Sequence, residues 1–417
     1  MPKTTHPNII IIGGGAAGFF AAINCAQLNP KARITILERG KSVLGKVKIS
    51  GGGRCNLTHA IWTPRELVKN YPRGAKALMG PFSKFCTGDT VDWFEKRGVE
   101  TKIEEDGRMF PISDSSQSII DCLWLGAKKA GVQVYTSTRV DNIVPPKEVG
   151  HSWKIIVKDN ETLYADKVMM ATGSSPKMWN MLAKLGHHII PPVPSLFTFN
   201  IRDGRIKDLL GISMSKVEVK ILGIELPKNE RTAVGPLLIT HWGMSGPAIL
   251  KLSAVAARAL HAKNYHFEIL VNWRADLSAQ DVTDDLNHII QSNPKKVVRS
   301  NPQFDFPARL WQRLVTAAGI PDDRRFGELS KKMKNKLIVE ITQGSYQVTG
   351  KSTFKDEFVT AGGVDLDEID FQRFESKIHP NLFFAGEVLD IDAVTGGFNF
   401  QAAWTGGYLA AKAIADV

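Results

Sequence analysis

Residues 8–18 constrain the fold of this 417-residue chain more than any other segment. Four consecutive isoleucines follow Asn8, and a β-branched run of this kind is typical of a strand buried on both faces. Gly13, Gly15 and Gly18 then form the pattern G-x-G-x-x-G. In a dinucleotide-binding turn the first glycine permits the sharp bend, the second lets a pyrophosphate approach the backbone, and the third lets the following helix pack on the strand. The N-terminus of that helix offers unpaired N–H groups and partial positive charge to the phosphates.

A second strand is predicted at residues 33–37, and it ends at Glu38. A carboxylate about twenty residues beyond the last glycine binds the hydroxyls of an adenosine ribose in such domains. A lone G-x-G-x-x-G is a weak signal. Strand, glycines, helix, second strand and acid in this order together predict a dinucleotide-binding domain.

The composition is that of an ordinary globular protein, with 43% hydrophobic and 23% charged residues. The length suggests two or three domains. No apolar run reaches the roughly 18–20 residues needed to cross a bilayer. The four cysteines are widely spaced and form no C-x-x-C pair, so neither a dithiol redox motif, nor a disulfide framework, nor a metal site is expected. A reduced, cytoplasmic setting fits this usage best.

The net charge of +11 and the pI near 9.3 favour an anionic partner, with nucleic acid the leading candidate. The excess is concentrated between residues 39 and 84, where Glu66 is the one acid. The basic residues of this segment are Arg39, Lys41, Lys46, Lys48, Arg54, Arg65, Lys69, Arg73, Lys76 and Lys84. A cofactor pyrophosphate would use one or two of them. A solvated basic face without a partner is the alternative.

Residues 45–59 read G-K-V-K-I-S-G-G-G-R-C-N-L-T-H, which predicts an irregular segment because it is so rich in glycine. The glycines at 51–53 would let backbone N–H groups wrap around an anion or a flat ring. Arg54 could bind a phosphate or a carbonyl through its fork of donors, and Asn56 and Thr58 offer further hydrogen bonds. A purely structural loop is the alternative.

This segment resembles the signature K-x-x-x-S-G-G-G-R-C-N-x-T of a bacterial flavoprotein family, the BaiN-like or aminoacetone-oxidase-like NAD(P)/FAD-dependent oxidoreductases of the glutathione-reductase-like superfamily. The string T-H-x-G-x-S-G-P at residues 240–247 resembles a second signature of that family. Ala-Thr-Gly at 171–173 and Gly-Glu at 386–387 are similar to superfamily markers. One departure is that the chain runs from Gly173 directly into a predicted helix, where most relatives carry a longer glycine-rich loop.

The resemblance implies FAD as the cofactor. The residues expected to line it are Gly13, Gly15, Ala16, Ala17, Gly18, Glu38, Arg39, Lys46, Ser50, Gly51, Gly52, Gly53, Arg54, Cys55, Asn56, Thr58, Val140, Ala171, Thr172, Gly173, Gly386, Glu387, Asp392, Gly396, Gly397, Phe398 and Asn399. Among them, the backbone of Val140 would bind the adenine, and residues 386–387 would bind the ribityl chain. Residues 392–401 would open a helix whose N-terminus stabilises the negative charge of the reduced flavin.

The expected fold is α/β, with a Rossmann-like FAD-binding domain of the glutathione reductase type and an inserted β-rich domain that carries a small helical subdomain. The FAD-binding domain would comprise residues 1–190 and 355–417. The inserted β domain would comprise residues 191–271 and 337–354, with the helical insertion at 272–336. The proline cluster at 191–194 marks the first boundary.

Three residues are candidates for catalysis: His241, Arg108 and Asn56. An unperturbed histidine pKa of about 6.5 suits proton delivery near neutral pH, although a structural histidine is the alternative. Arg108 belongs to a predicted hairpin at 106–111, which the resemblance places near the flavin. A turn that only covers the core is the alternative for this hairpin.

The resemblance implies an oxidoreductase in which flavin N5 delivers a hydride to an electron-poor C=C bond. Some family members reduce bile acid intermediates, and others resemble ribosomal RNA dihydrouridine synthases. NAD(P)H is the expected donor, and another reductant is the alternative. NAD(P)H would have to bind transiently against the flavin, because no second G-x-G-x-x-G with its strand and acid is present. The charge favours RNA over a small acid or a sterol as the substrate, and a base would have to be unstacked to react. The resemblance makes a uracil base of ribosomal RNA the candidate.

Three other functions remain open from the sequence. One is an FAD-holding protein that binds RNA or the ribosome, in which the flavin is structural or senses redox state. Another is a reductase or oxidase of a small molecule. The third is a plain NAD dehydrogenase, which the elements at 386–387 and 396–399 disfavour because they belong with flavin.

Overall fold

The computed structural model describes residues 6–148, 151–158, 161–227, 230–352 and 359–416. The chain divides into two compact units, Met1–Val193 with Lys355–Val417, and Pro194–Phe354. The first unit is therefore built from both ends of the chain, and the second is inserted between them.

The strands, in chain order, are β1 (Asn8–Ile12), β2 (Arg33–Leu37), β3 (Thr58–His59), β4 (Thr101–Ile103), β5 (Arg108–Pro111), β6 (Gln133–Tyr135), β7 (Val140–Val144), β8 (Trp153–Val157), β9 (Thr162–Ala165), β10 (Lys167–Met170), β11 (Ile189–Pro194), β12 (Thr198–Ile201), β13 (Ser213–Leu222), β14 (Thr232–Ile239), β15 (Gly243–Ser245), β16 (His266–Asn272), β17 (Gly344–Ser352), β18 (Thr360–Val364), β19 (Ile369–Asp370), β20 (Glu375–Ser376) and β21 (Leu382–Phe384).

The helices are α1 (Ala16–Leu28), α2 (Gly45–Gly53), α3 (Pro64–Leu67), α4 (Ala75–Phe82), α5 (Thr87–Glu95), α6 (Ser116–Lys129), α7 (Pro176–Lys184), α8 (Pro247–Val255), α9 (Ala257–Ala262), α10 (Ala279–Ser292), α11 (Ala308–Ala317), α12 (Lys331–Thr342) and α13 (Phe398–Ala415).

A parallel sheet with the order β21-β10-β1-β2-β6 forms the centre of the first unit, and β20 and β19 extend it antiparallel at one edge. The four isoleucines of β1 are buried in the middle strand of the parallel part. Helices α1 and α13 pack against each other. The two helices approach each other closely at Gly407, where an added Cβ would lie 3.0 Å from the carbonyl oxygen of Ala17. The first and last helices of the chain thus share one layer.

Some strands that lie close together in the chain do not pair with each other. Strand β6 extends the central sheet beside β2, and β7 joins the β7-β8-β9 meander. Strand β18 lies beside β11, and β21 lies beside β10. The glycines of β18 allow this, because a Cβ at Gly362 would lie only 2.7 Å from the Cα of Pro192. Adjacent prolines are not tolerated in the middle strand of a sheet. Strand β11, which contains such a pair, accordingly lies in a two-stranded sheet with β18.

The second unit is a closed antiparallel barrel with the order β12-β15-β14-β13-β16-β17. Burial alternates strictly along β16, as expected for a strand with one face toward a barrel interior. Helices α10, α11 and α12 contribute Leu286, Trp311 and Leu337 to the same hydrophobic core as the barrel strands. The segment expected as a separate helical insertion therefore shares its core with the barrel.

Over the parts of the chain that the structure describes, no helix combines the length and hydrophobicity that a membrane span requires.

The environment of His187 predicts how the free energy of unfolding depends on pH. Its ring is buried, with Nδ1 at 2.8 Å from Oε2 of Glu368 and Nε2 at 3.2 Å from Oγ of Ser376. Burial lowers the pKa of His187, and the attraction of Glu368 offsets this only in part. In the unfolded chain a histidine titrates near its ordinary pKa of about 6.5. Below that pH the unfolded state binds more protons than the folded state, so the stabilising contribution is present above about pH 6.5 and is lost as the pH falls.

We expect the free energy of unfolding, measured in urea, to fall between about pH 7.5 and about pH 5.5. The variant His187→Gln should show a smaller fall over this interval. An equal fall in the wild type and the variant would contradict the role of His187.

Candidate functional site

The turn between β1 and α1 has the geometry that the glycine pattern predicts. A Cβ added at Gly13 would lie 2.2 Å from the carbonyl oxygen of Ala171, and one added at Gly18 would lie 2.1 Å from that of Gly13. A Cβ at Gly15 would meet no atom within 4 Å. The first and third glycines are therefore required by packing. The second faces open space at the N-terminus of α1, where Ala16 and Ala17 begin the helix. This space fits a pyrophosphate.

Glu38 is fixed at the end of β2 by two backbone donors. Its Oε2 accepts a hydrogen bond from the N–H of Gly14 at 2.9 Å, and its Oε1 accepts one from the N–H of Gly40 at 2.6 Å. Each carboxylate oxygen keeps a further lone pair for a ribose hydroxyl. The N–H of Thr138 donates to the carbonyl of Glu38 at 2.8 Å, and β7 begins two residues later, at Val140.

The prediction of an irregular segment at 45–59 is wrong in part. Residues 45–49 begin α2, in which the N–H of Lys48 donates to the carbonyl of Leu44 at 3.0 Å. The lysines and aliphatic residues here have enough helix propensity for one turn. The helix is then interrupted at Gly51 and Gly52, whose φ angles are +58° and +68°.

The three glycines of this segment have different surroundings. A Cβ at Gly51 would lie 2.8 Å from the Phe110 ring, whereas one at Gly52 or Gly53 would meet nothing within 4 Å. Gly51 is therefore a packing residue, and the next two leave their backbone open to a ligand. Behind them, the N–H of Cys55 donates to the carbonyl of Ser50 at 2.9 Å. Burial raises the pKa of the Cys55 thiol to about 12, so this cysteine is not a nucleophile at neutral pH.

Arg54 and Arg108 are engaged by carboxylates. Arg54 donates to Glu104 at 2.6 Å and to Asp114 at 3.4 Å, and its guanidinium lies 4.0 Å from the centre of the Phe110 ring. Arg108 donates to Asp106 at 2.7 Å and to Glu104 at 3.1 Å. The phosphate contact expected of Arg54 would have to compete with these ion pairs. Arg39, in contrast, is exposed directly after Glu38.

The segment after α2 is bound to the start of α13. With its amide oriented so that both groups are satisfied, Asn56 donates to the carbonyl of Thr58 at 3.0 Å and accepts from the N–H of Gly397 at 3.1 Å. The Thr58 hydroxyl donates to Oε1 of Gln401 at 2.6 Å. Lys46 forms an ion pair with Glu387. An early segment and a late segment of the chain thus build one wall.

The carboxyl ends of the parallel strands meet beside this wall. After β10, Ala171 donates its N–H to the carbonyl of Ile12 at 2.8 Å, and a Cβ at Gly173 would lie 3.9 Å from Oε2 of Glu387. After β21, a Cβ at Gly386 would lie 3.4 Å from the Cβ of Ala17. The buried hydroxyl of Thr172 has no hydrogen-bond partner among the described residues. Ligands of open parallel sheets bind at this edge.

The N-terminus of α13 is the second helix end at the site. Gly396 and Gly397 precede it with φ angles of +134° and +91°, and no side chain caps it. Asn399 folds back, and its Oδ1 accepts from the N–H of Ala393 at 3.0 Å. The 18-residue helix directs its positive end outward here, which suits a ligand that gains negative charge.

Three contacts that the sequence did not reveal hold this helix end in place. Asp392 is completely buried and forms a bidentate ion pair with Arg73. The Tyr71 hydroxyl donates to the carbonyl of Phe398 at 2.6 Å. The His59 ring stacks on Phe398 with 4.7 Å between centroids. Arg73 and Tyr71 lie more than 300 residues from these partners, and no local pattern links such distant positions.

His241 lies in the second unit, exposed in the connection between β14 and β15. Its ring packs against Trp242 at 87° with 5.2 Å between centroids. It lines a cavity of about 520 Å³. Asn56 and Arg108 are in the first unit.

An open glycine turn at a helix N-terminus, a carboxylate fixed at the end of the adjacent strand and a second uncapped helix N-terminus are the features of one class of protein, the Rossmann-fold FAD-dependent oxidoreductases. The chain belongs to the family described as HI0933-like protein Rossmann domain, whose model matches residues 7–413. The predicted fold class and flavoprotein family are thereby confirmed.

The chain is similar to two bacterial proteins over nearly its full length. It is 27% identical over 414 residues to the 3-dehydro-bile acid delta(4,6)-reductase of Clostridium scindens, covering 97% of this chain and 98% of that protein. It is 28% identical over 414 residues to the ribosomal RNA dihydrouridine synthase of Escherichia coli, covering 97% and 96%.

A solved structure has a similar fold. The 3-ketosteroid delta1-dehydrogenase of Sterolibacterium denitrificans has a TM-score of 0.52 and 11% identity, over 99% of this chain and 100% of that one. At this identity the likeness concerns the fold alone.

Proposed function

We propose that the protein is an FAD-dependent reductase of electron-poor C=C bonds. The observation that carries the proposal is that segments from both ends of the chain form one wall: Gly15 faces open space at the N-terminus of α1, and Asn56 binds Gly397 at the N-terminus of α13. When bound, FAD supplies the hydride transfer that such a reduction requires. The names of both bacterial relatives denote the saturation of a C=C bond, which supports this reaction class.

Different residues of the first unit would bind different parts of FAD. The N–H groups at the start of α1 would hold the pyrophosphate, and Glu38 would hold the adenosine ribose. Lys46 would lie near the pyrophosphate while it remains paired with Glu387. The uncapped end of α13 would stabilise negative charge on the reduced ring, and Asn56 would keep that end fixed through Gly397.

We infer NAD(P)H as the electron donor, bound transiently. The chain has one G-x-G-x-x-G with its strand and acid, and the structure places that pattern at the edge proposed for FAD. A donor without its own dinucleotide fold would have to bind directly against the flavin and leave after reducing it.

Among substrates, we propose a uracil base of ribosomal RNA. Of the basic residues between 39 and 84, those with a carboxylate partner are Lys46, Arg54, Lys69 and Arg73. The others are exposed, with no carboxylate of a described residue within 4 Å; they are Arg39, Lys41, Lys48, Arg65, Lys76 and Lys84. Exposed cations that are not neutralised within the protein favour a polyanionic substrate.

The proposal is tested by anaerobic reduction of the purified protein. We expect NADPH or NADH to bleach the flavin, and a conjugated acceptor to restore its colour. Two acceptors separate the substrates: a 3-keto-4-ene steroid, and ribosomal RNA from a strain that lacks this protein, with dihydrouridine measured by mass spectrometry. Recovery of colour with RNA and new dihydrouridine supports the RNA substrate, whereas recovery with the steroid alone supports a small molecule.

A flavin that no nicotinamide nucleotide reduces would contradict the donor. A reduced flavin that neither acceptor reoxidises would contradict the reductase proposal. It would favour instead a protein that holds FAD for structure or sensing.

A further inference from the structure

The cavity in the second unit next to His241 has a composition that the FAD cradle does not explain. Its volume is about 520 Å³, and its lining residues are Asn200, Ile201, Arg202, His241, Trp242 and Thr349. A volume in this range accommodates a small organic ligand. None of these described lining residues carries a carboxylate, so the cavity is electropositive and rich in hydrogen-bond donors.

Trp242 gives the cavity a flat apolar surface. Its side chain is 54% exposed, although an indole is normally buried to a large extent in a folded protein. The indole N–H donates to no described residue. His241 stands at right angles to it, so the two rings form a corner in which a third planar group can stack on one and contact the other.

The backbone holds Trp242 in this exposed position. The N–H of Ile201 donates to the carbonyl of Trp242 at 2.9 Å, and the N–H of Thr240 donates to the carbonyl of Gly243 at 2.8 Å. Gly243 has a φ of +149°, and a Cβ there would lie 2.2 Å from the carbonyl oxygen of Phe199. The backbone of this hairpin is therefore fixed against β12 at the position of Trp242.

Arg202 provides the positive charge. It is exposed and makes no ion pair with a described residue. Arg205, only three residues away, is bound by Asp203 at 2.7 Å and Glu340 at 2.8 Å. The fork of the Arg202 guanidinium thus remains available, and its geometry matches phosphate oxygens. Asn200 accepts from the Ser352 hydroxyl through Oδ1 at 2.8 Å, which directs its amide nitrogen to other partners.

We propose that this cavity binds a nucleotide, with the base stacked on Trp242 and a phosphate held by Arg202. A nucleotide carries both a planar ring, which can stack on Trp242, and an anion, which can bind the Arg202 guanidinium. The nucleotide could come from an RNA chain or from a free nicotinamide dinucleotide, since both present a base and a phosphate. Binding requires no turnover, so this inference stands or falls separately from the reductase proposal.

The test is calorimetric titration of the full-length protein with three probes: uridine 5′-monophosphate, a short single-stranded oligouridylate, and oxidised NADP. We expect Trp242→Ala to weaken binding of the preferred probe by about tenfold or more, because stacking is lost. Trp242→Phe should keep most of the affinity, because it retains a stacking surface. Trp124→Ala is the matched control, since Trp124 is 43% exposed but lies in α6 of the first unit, outside the basic segment at 39–84.

Salt dependence tests the phosphate contact. If the oligouridylate binds, Arg202→Ala should reduce the slope of log Kd against log salt by about 0.7, the value for one phosphate of a single strand. Lys332→Ala removes the same charge from an exposed position of α12 and should leave the slope unchanged. Tighter binding of the oligouridylate than of NADP supports an RNA nucleotide, and the reverse order supports the free dinucleotide.

The proposal is overturned if none of the three probes binds. It is also overturned if Trp242→Ala and Arg202→Ala bind as tightly as Trp124→Ala and Lys332→Ala. Equal melting temperatures of all variants ensure that any loss reflects binding rather than unfolding.

Discussion

Replacing Gly18 by alanine is expected to abolish FAD retention and to lower the free energy of unfolding by about 3 kcal/mol, a typical cost of forcing extra atoms into a packed interior. The added Cβ would lie 2.1 Å from the carbonyl oxygen of Gly13 and 3.4 Å from the Cβ of Ala171. The backbone of Gly13 cannot yield without moving α1 away from β1. Urea unfolding and the flavin absorption that remains after gel filtration measure the two effects.

Gly15→Ala is the matched control for this prediction. Its φ of −91° is permitted for alanine, and the new methyl group would meet no protein atom within 4 Å. We expect the unfolding free energy of the cofactor-free protein to change by less than about 1 kcal/mol. FAD affinity should still fall, because the methyl group occupies the space proposed for the pyrophosphate. If Gly15→Ala retained FAD as the wild type does, the cradle would lie elsewhere.

Asp392→Ala is expected to cost about 3–5 kcal/mol of stability, because it removes the fully buried carboxylate that pairs with the largely buried Arg73 guanidinium. The Asp392 side chain is fully buried, and that of Arg73 is 14% exposed. The pair joins the loop before α4 to the segment that leads into α13. We therefore also expect FAD retention to decrease, since the helix end at Gly397 would lose this support.

Two comparisons separate this effect from general damage. The double variant Arg73→Met with Asp392→Ala should be more stable than Asp392→Ala alone, because no buried charge is left uncompensated. Lys69→Ala breaks the exposed pair with Glu66 and should cost less than about 1 kcal/mol. A cost for Asp392→Ala as small as that for Lys69→Ala would contradict the importance of the buried pair.

The sequence predicted the geometry of the turn between β1 and α1 well, because the requirements there are local. The roles of Gly13 and Gly18 follow from steric contacts with backbone a few residues away or on the adjacent strand. The position of Glu38 could be predicted because it follows β2, which pairs in parallel with β1.

The parts that the sequence did not predict depend on contacts between distant segments. Arg54 has two acidic partners, Glu104 and Asp114, that lie 50 and 60 residues away, and nothing in its glycine-rich neighbourhood indicates them. The pairing of β18 with β11 depends on how closely Gly362 and Pro192 approach. The Arg73–Asp392 pair joins residues 319 apart.

The central claim is that the first and last segments of the chain together hold one FAD. The most direct measurement is the amount of FAD released from the purified protein by heat denaturation, identified by mass spectrometry, for the wild type, Gly15→Val and Gly397→Val. A side chain at Gly397 would lie 2.6 Å from the carbonyl oxygen of Thr58, so it disturbs the other end of the same site. We predict one FAD per wild-type chain and nearly none in either variant. Absence of FAD from the wild type after incubation with the cofactor, or full retention by either variant, would contradict the claim.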